Sequence, residues 1–252
     1  SQAQQSPLWM RYPAISPDGK TIVFSYKGDL YSVPSTGGEA RQLTTNAAYD
    51  SYPIWSPDGK KIAFASTREG SMDIFVIPAT GGAPTRLTTN SGSEIPVAFK
   101  DNDHVLFSAN VMPTAQSNLF ASREFSQVYE VSTEGGRPKL YSVLPMENIS
   151  INAQGKVLYH DCKGYEDKWR KHHTSPITRD IWMLDANKYQ KLTTFKGEDR
   201  NPVWAADNQS FYYLSEQDGS FNIYHRSLST GKNIQVTHEK KNPIRFLTSS
   251  ND

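Results

Sequence analysis

Short apolar runs alternate with polar clusters along the whole chain, and the clusters are rich in Gly, Pro, Asp and Asn. Runs of this length bounded by turn residues predict strands. Residues 53–90 show the pattern most cleanly. Residues 53–56 read as a short strand that opens on Pro53, a place where the missing N–H is tolerated. Pro57-Asp58-Gly59-Lys60 reads as a turn: Pro57 presets φ, Asp58 can bond the nearby backbone, and Gly59 takes positive φ. Residues 61–66 form a second strand in which Ile62, Ala63, Phe64 and Ala65 are consecutive and apolar. Continuous apolarity predicts burial on both faces. Residues 73–77 read as a third strand, Ala79-Thr80-Gly81-Gly82 as a turn, and residues 85–87 as a fourth strand on the outside.

This unit recurs. Tyr12-Pro13-Ala14-Ile15-Ser16-Pro17-Asp18-Gly19-Lys20 returns as Tyr52-Pro53-Ile54-Trp55-Ser56-Pro57-Asp58-Gly59-Lys60, and Arg41-Gln42-Leu43-Thr44-Thr45-Asn46 returns as Thr85-Arg86-Leu87-Thr88-Thr89-Asn90. Fainter copies begin at Ile95-Pro96, Ile149-Ser150, Asn201-Pro202 and Asn242-Pro243. A period near 40 residues built from short strands predicts an all-β fold, a β-propeller of four-stranded blades. Five repeats are complete, at about 8–48, 49–91, 92–146, 147–198 and 199–241, and 242–252 begins a sixth. All are read as one domain. One blade cannot bury both its faces alone, so the repeats must stack as a ring with their first strands around the axis. Two closures are open: six or more blades in a longer polypeptide, or a five-bladed ring sealed by 243–252 against the amino-terminal repeat.

Composition narrows the function. Net charge is +1, which gives no global attraction to nucleic acid or anionic membrane. No run approaches the roughly 18 apolar residues of a membrane-spanning helix. Cys162 is the only cysteine, so no internal disulfide is possible. The start at Ser1 fits a mature protein after signal-peptide removal, hence a periplasmic or secreted location as the expectation.

The string Tyr-Pro-x-Trp-Ser-Pro-Asp-Gly-Lys-Lys-Ile-Ala-Phe, followed by Asp-Ile-Phe-Val and Gly-Gly-x-x-x-Arg-Leu-Thr, resembles the TolB-type propeller repeat over nearly the whole chain. Within that group the chain most resembles the amino-terminal propeller of tricorn-like secreted serine proteases. The early start of the propeller, the degenerate third repeat and the basic insertion in the fourth carry that resemblance. It implies a propeller that guides or gates peptides and docks other modules of the same polypeptide, among them a PDZ domain and a carboxy-terminal serine peptidase. A TolB-like interaction scaffold is one alternative. TolB itself has an α/β domain before its propeller, and no such pattern precedes Leu8 here. A glycan-processing propeller with its site at the channel mouth is another.

Candidate chemistry is sparse in the chain itself. It has no Gly-x-Ser-x-Gly elbow, His-Glu-x-x-His helix or phosphate-cradling loop. No catalytic residue, metal or cofactor is therefore assigned. The turn aspartates lie one per blade, too dispersed for a calcium site that needs six or more oxygens. His160, Asp161 and Cys162 are adjacent, but strand alternation would point them apart. The same holds for His172 and His173. The most distinctive segment is the insertion 163–179 in the fourth repeat. Lys168, Trp169, Arg170, Lys171, His172, His173 and Arg179 make it a candidate surface for an acidic peptide end or a partner domain, because long loops on rigid scaffolds often carry binding residues. A second insertion, 110–125, reads as an apolar cap on its blade.

Overall fold

The computed structural model describes residues 9–90, 92–110, 126–161 and 178–251. Among them are twenty strands and no helix. They form five antiparallel sheets of four strands, each meandering in chain order. Blade one holds β1 (Arg11–Ile15), β2 (Thr21–Tyr26), β3 (Asp29–Pro34) and β4 (Arg41–Gln42). Blade two holds β5 (Asp50–Trp55), β6 (Lys61–Ser66), β7 (Asp73–Pro78) and β8 (Thr85–Arg86). Blade three holds β9 (Glu94–Asp101), β10 (His104–Asn110), β11 (Ser126–Ser132) and β12 (Lys139–Ser142). Blade four holds β13 (Met146–Ile151), β14 (Val157–Asp161), β15 (Ile181–Asp185) and β16 (Lys188–Lys191). Blade five holds β17 (Asp199–Trp204), β18 (Ser210–Ser215), β19 (Asn222–Ser227) and β20 (Asn233–Gln235). The fold is the expected all-β propeller. In blade two the inner strand starts earlier than the expected residue 53, because Asp50 already pairs with Ser66.

Four apolar clusters hold the ring, one at each interface between consecutive blades. Phe64, Phe75 and Ile77 of blade two pack on Val23, Leu30 and Leu43 of blade one. Ala63, Ile74 and Leu87, on the other face of the same sheet, pack on Phe107, Tyr129 and Val131 of blade three. Side chains alternate faces along a strand, so a strand with a blade on each side must be apolar throughout. Each large aliphatic or aromatic residue so buried stabilises the fold by roughly 1.5–3 kcal/mol. The Leu-Thr pair after the outer strands of blades one, two and four shows how packing and hydrogen bonding combine. Leu43, Leu87 and Leu192 enter the interfaces. The next residue, Thr44, Thr88 or Thr193, accepts the N–H of Leu30, Ile74 or Ile181 on the hydroxyl oxygen.

The Ser-Pro-Asp-Gly-Lys turns are hydrogen-bonded units. Ser56 Oγ donates to Asp58 Oδ1 at 2.7 Å, the Lys60 N–H donates to the same oxygen, and Lys61 N donates to Ser56 Oγ. The Ser16, Asp18, Lys20 and Thr21 set repeats this. These bonds hold both aspartates below the usual carboxylate range, led in each case by the serine hydroxyl.

The segment 244–251 forms no ladder, yet it links the last blade to the first. Ile244 N donates to Phe221 O and Ser249 Oγ to Trp204 O in blade five. Ile15 N donates to Thr248 Oγ1, and Asn251 N to Pro17 O, in blade one. Beside this link Val236 is 48% exposed, whereas the leucines in the same position of blades one, two and four are 3–7% exposed. Those leucines each have a following sheet, and Val236 has none among the described residues.

Candidate functional site

The inner strands of all five blades surround an axial channel. The cavity measures about 600 Å³ and is lined by Pro13, Ile54, Val97, Ile149 and Val203 among others, with Thr248 from the carboxy-terminal segment. It opens beside the tight turns that follow the inner strands, where Pro17, Pro57, Ala153 and Asn208 stand.

A repeated distortion shapes this wall. The pairing of inner and second strand slips in every blade, and in four of them the slip lies between Arg11 and Ala14, Ser51 and Ile54, Glu147 and Ser150, or Arg200 and Val203. Within each of these four slips one residue adopts φ of 51–53°: Tyr12, Tyr52, Asn148 and Asn201. Asparagine enters this region readily, but tyrosine does so at a cost of order 1–3 kcal/mol. A bulge re-aims the side chain it carries. Here it brings the Tyr12 and Tyr52 rings to 4.1 Å between centroids, with Tyr12 Oη donating to Tyr52 Oη at 3.2 Å. Burial, followed by this bond, raises the Tyr52 phenol. Phe246 meets Tyr12 edge-on. Indole N–H groups tie neighbouring inner strands: Trp55 Nε1 donates to Ala14 O, and Trp204 Nε1 to Ser150 O.

At the end of the ring where the inner strands begin, blades four and five share a polar network. The Asn201 N–H donates to His160 Nδ1 at 3.0 Å, which makes that nitrogen the acceptor. The ring proton is thus on Nε2 and is donated to Glu147 Oε2 at 3.0 Å. Burial lowers the His160 pKa, and the imidazole is held neutral. The His160 bond pulls Glu147 down to about 2. Arg179 reaches Glu147 at 3.5 Å and Glu198 at 3.0 Å, and Arg200 reaches Glu198 at 3.5 Å. Both nitrogens of His160 are engaged, so this residue ties two blades together and has no position left to take a proton from a substrate. Carboxylates, a histidine and arginines do converge here, but on one another.

Of the insertion's candidate residues, Arg179 belongs to this network. Lys168, Trp169, Arg170, Lys171, His172 and His173 lie outside the described residues, as do Cys162 and the second insertion beyond Asn110. Sequence reasoning did not single out the Tyr12–Tyr52 pair or the Glu147–His160 bond. The repeated Tyr-Pro was visible, but its bulge was not, because positive φ in tyrosine runs against local preference.

No curated protein matches the chain. Among solved structures, the tricorn protease is similar with a TM-score of 0.77 and 20% identity, covering 96% of this chain and 24% of that one. The chain thus spans about a quarter of that protein's length. A putative TolB from Agrobacterium tumefaciens is similar with a TM-score of 0.69 and 16% identity, covering 91% of this chain and 81% of that one. The β-propeller domain of the Trilobed protease from Pyrococcus furiosus gives 0.57 and 13%, covering 91% and 69%. These likenesses concern the fold. The family model described as the tricorn protease N-terminal beta propeller domain matches residues 7–252, and the chain belongs to that family.

Proposed function

We propose that this domain is a non-catalytic propeller of a tricorn-like serine protease, which guides or gates peptides and docks other modules of the same polypeptide. Cleavage of peptide bonds is assigned to a peptidase module outside these residues. The axial channel carries the reading. Its volume falls within the range of ligand sites, and its walls combine prolines and aliphatic side chains with polar groups such as Asn148, Ser150, Asn152, Asn208 and Thr248. Such a wall offers an extended peptide apolar contact for its side chains and hydrogen-bonding groups for its backbone. A periplasmic or secreted location is part of the proposal and is checked by cell fractionation.

The test is fluorescence anisotropy of a labelled extended peptide with this chain. Val97 lines the channel and is only partly buried. Val97→Trp narrows the bore and should weaken binding roughly tenfold or more, which is about 1.4 kcal/mol. Equal binding by the native chain and this variant would remove the channel from the proposal. A TolB-like interaction scaffold is the second reading, favoured by the exposed Leu140, Val143 and Leu144 at and just beyond the outer strand of blade three. Recovery of a stable envelope protein on the chain, lost in Leu140→Asp with Val143→Asp, would support it.

A further inference from the structure

The third strands of the blades share a position that faces the second strand in register. The pairs are Ile22 with Val33, Ile62 with Ile77, Val105 with Val131, and Val157 with Leu184. In blade five the pair is Phe211 with Arg226. Four blades thus place an aliphatic residue there, and the fifth places a guanidinium. Ile77 and Val131 are fully or nearly fully buried and fill the interface with the preceding blade. At Arg226 that interface instead holds a crevice of about 370 Å³. Its apolar wall is Met183 and Leu192 of blade four and Leu228 of blade five, and Lys156 and Lys191 also border it.

The charges in this crevice are unevenly matched. Lys156 Nζ lies 2.9 Å from Asp185, and Lys191 Nζ lies 2.8 Å from the nearly buried Asp180. Arg226 is half-buried, and among the described residues its guanidinium has no hydrogen bond or ion pair. A partly desolvated guanidinium favours a planar anion, because its fork matches the two oxygens of a carboxylate. An apolar wall beside the cation favours a ligand that carries a hydrophobic group next to its charge. We infer that the crevice between blades four and five binds the free carboxy terminus of a peptide ending in an aliphatic residue. Arg226 takes the carboxylate, and Met183, Leu192 and Leu228 take the terminal side chain. Asn208 borders both this crevice and the axial channel, so the two open side by side. The inference shares only its ligand class with the proposed function.

The experiment titrates the isotope-labelled chain with N-acetyl-leucyl-leucine and follows the Arg226 Nε–H and Gly231 amide signals by NMR. The free acid should shift both signals. Its C-terminal amide should bind roughly tenfold more weakly or worse, since a charge-assisted bond is lost. Arg226→Leu restores the aliphatic residue of the other blades, so it should keep or raise the melting temperature while abolishing binding. Arg226→Gln serves as the second variant. Equal binding of acid and amide, or unchanged binding in both variants, would overturn the inference. Tighter binding of inorganic phosphate than of the dipeptide would also overturn it, by assigning the crevice to a small inorganic anion. Val97→Trp should leave this titration unaltered, and Arg226→Leu should leave channel binding unaltered, so either idea can fail alone.

Discussion

Blades two and five are built on the same plan and place corresponding residues in opposite circumstances. Each inner strand begins with a buried aspartate, Asp50 or Asp199. In blade two, Arg68 follows the second strand and its Nη2 meets both oxygens of Asp50, at 2.8 and 3.0 Å, while its guanidinium lies over Phe75. In blade five Gln217 stands where Arg68 stands, two residues after the strand ends at Ser215. Burial then raises Asp199 to about 6, aided by the nearby charges of Asp180 and Glu216 and opposed by bonds from Ser215 and Thr193. Leu87 is covered by blade three, whereas Val236 is half-open. Ile77 is packed, whereas Arg226 lines a crevice. A repeat therefore fixes a position's geometry, and the neighbouring blade fixes what that position contributes.

The sharpest way to break the comparison is Arg68→Met. It keeps the packing volume but leaves Asp50 buried without its cation. The expected loss is about 3–5 kcal/mol of stability, read by denaturant unfolding. A loss comparable to an exposed pair would mean that Asp50 is compensated elsewhere. Next in size is the leucine position. Leu87→Ala should cost about 2–5 kcal/mol, as for a large-to-small change in a packed core. Val236→Ala should stay within about 0.5 kcal/mol, as at a surface site. Equal costs would show that Val236 is covered in solution.

The third test uses pH. Asp199 has a folded pKa raised from 3.8 to about 6. Between those values the folded chain holds a proton that the unfolded chain has lost, so the aspartate's contribution declines as pH rises through this window and is level above it. Asp199→Asn should remove that slope and leave the variant about 2–3 kcal/mol more stable at pH 7. The smallest effect is expected for Gln217→Arg, which recreates the blade-two pair. It should bring the Asp199 titration below 6 by NMR. An unmoved titration would show that position 217 does not reach Asp199.

The tricorn-type family, the five phased repeats and the turns were legible in the sequence, because their signals are local. Gly19 and Gly59 sit where only positive φ closes the turn, and the run from Ile62 to Ala65 declares a strand covered on both faces. The candidate sites were far less legible. The Lys168–His173 stretch drew notice by composition alone. The Glu147–His160 bond spans two strands, and the bond from Asn201 to His160 spans two blades. Arg226 could have been found by aligning the third strands, since it breaks an aliphatic column.

The sequence by itself determined the repeat, its period, its turns and which strands must be buried, since these follow from backbone preference and side-chain alternation within about 40 residues. Only the tertiary structure decided that Asp50 meets a cation and Asp199 only hydroxyl groups, that Tyr12 and Tyr52 stack, and that Arg226 faces a crevice. Each of those outcomes depends on what a neighbouring strand or blade presents across the contact, and no pattern within one repeat encodes it.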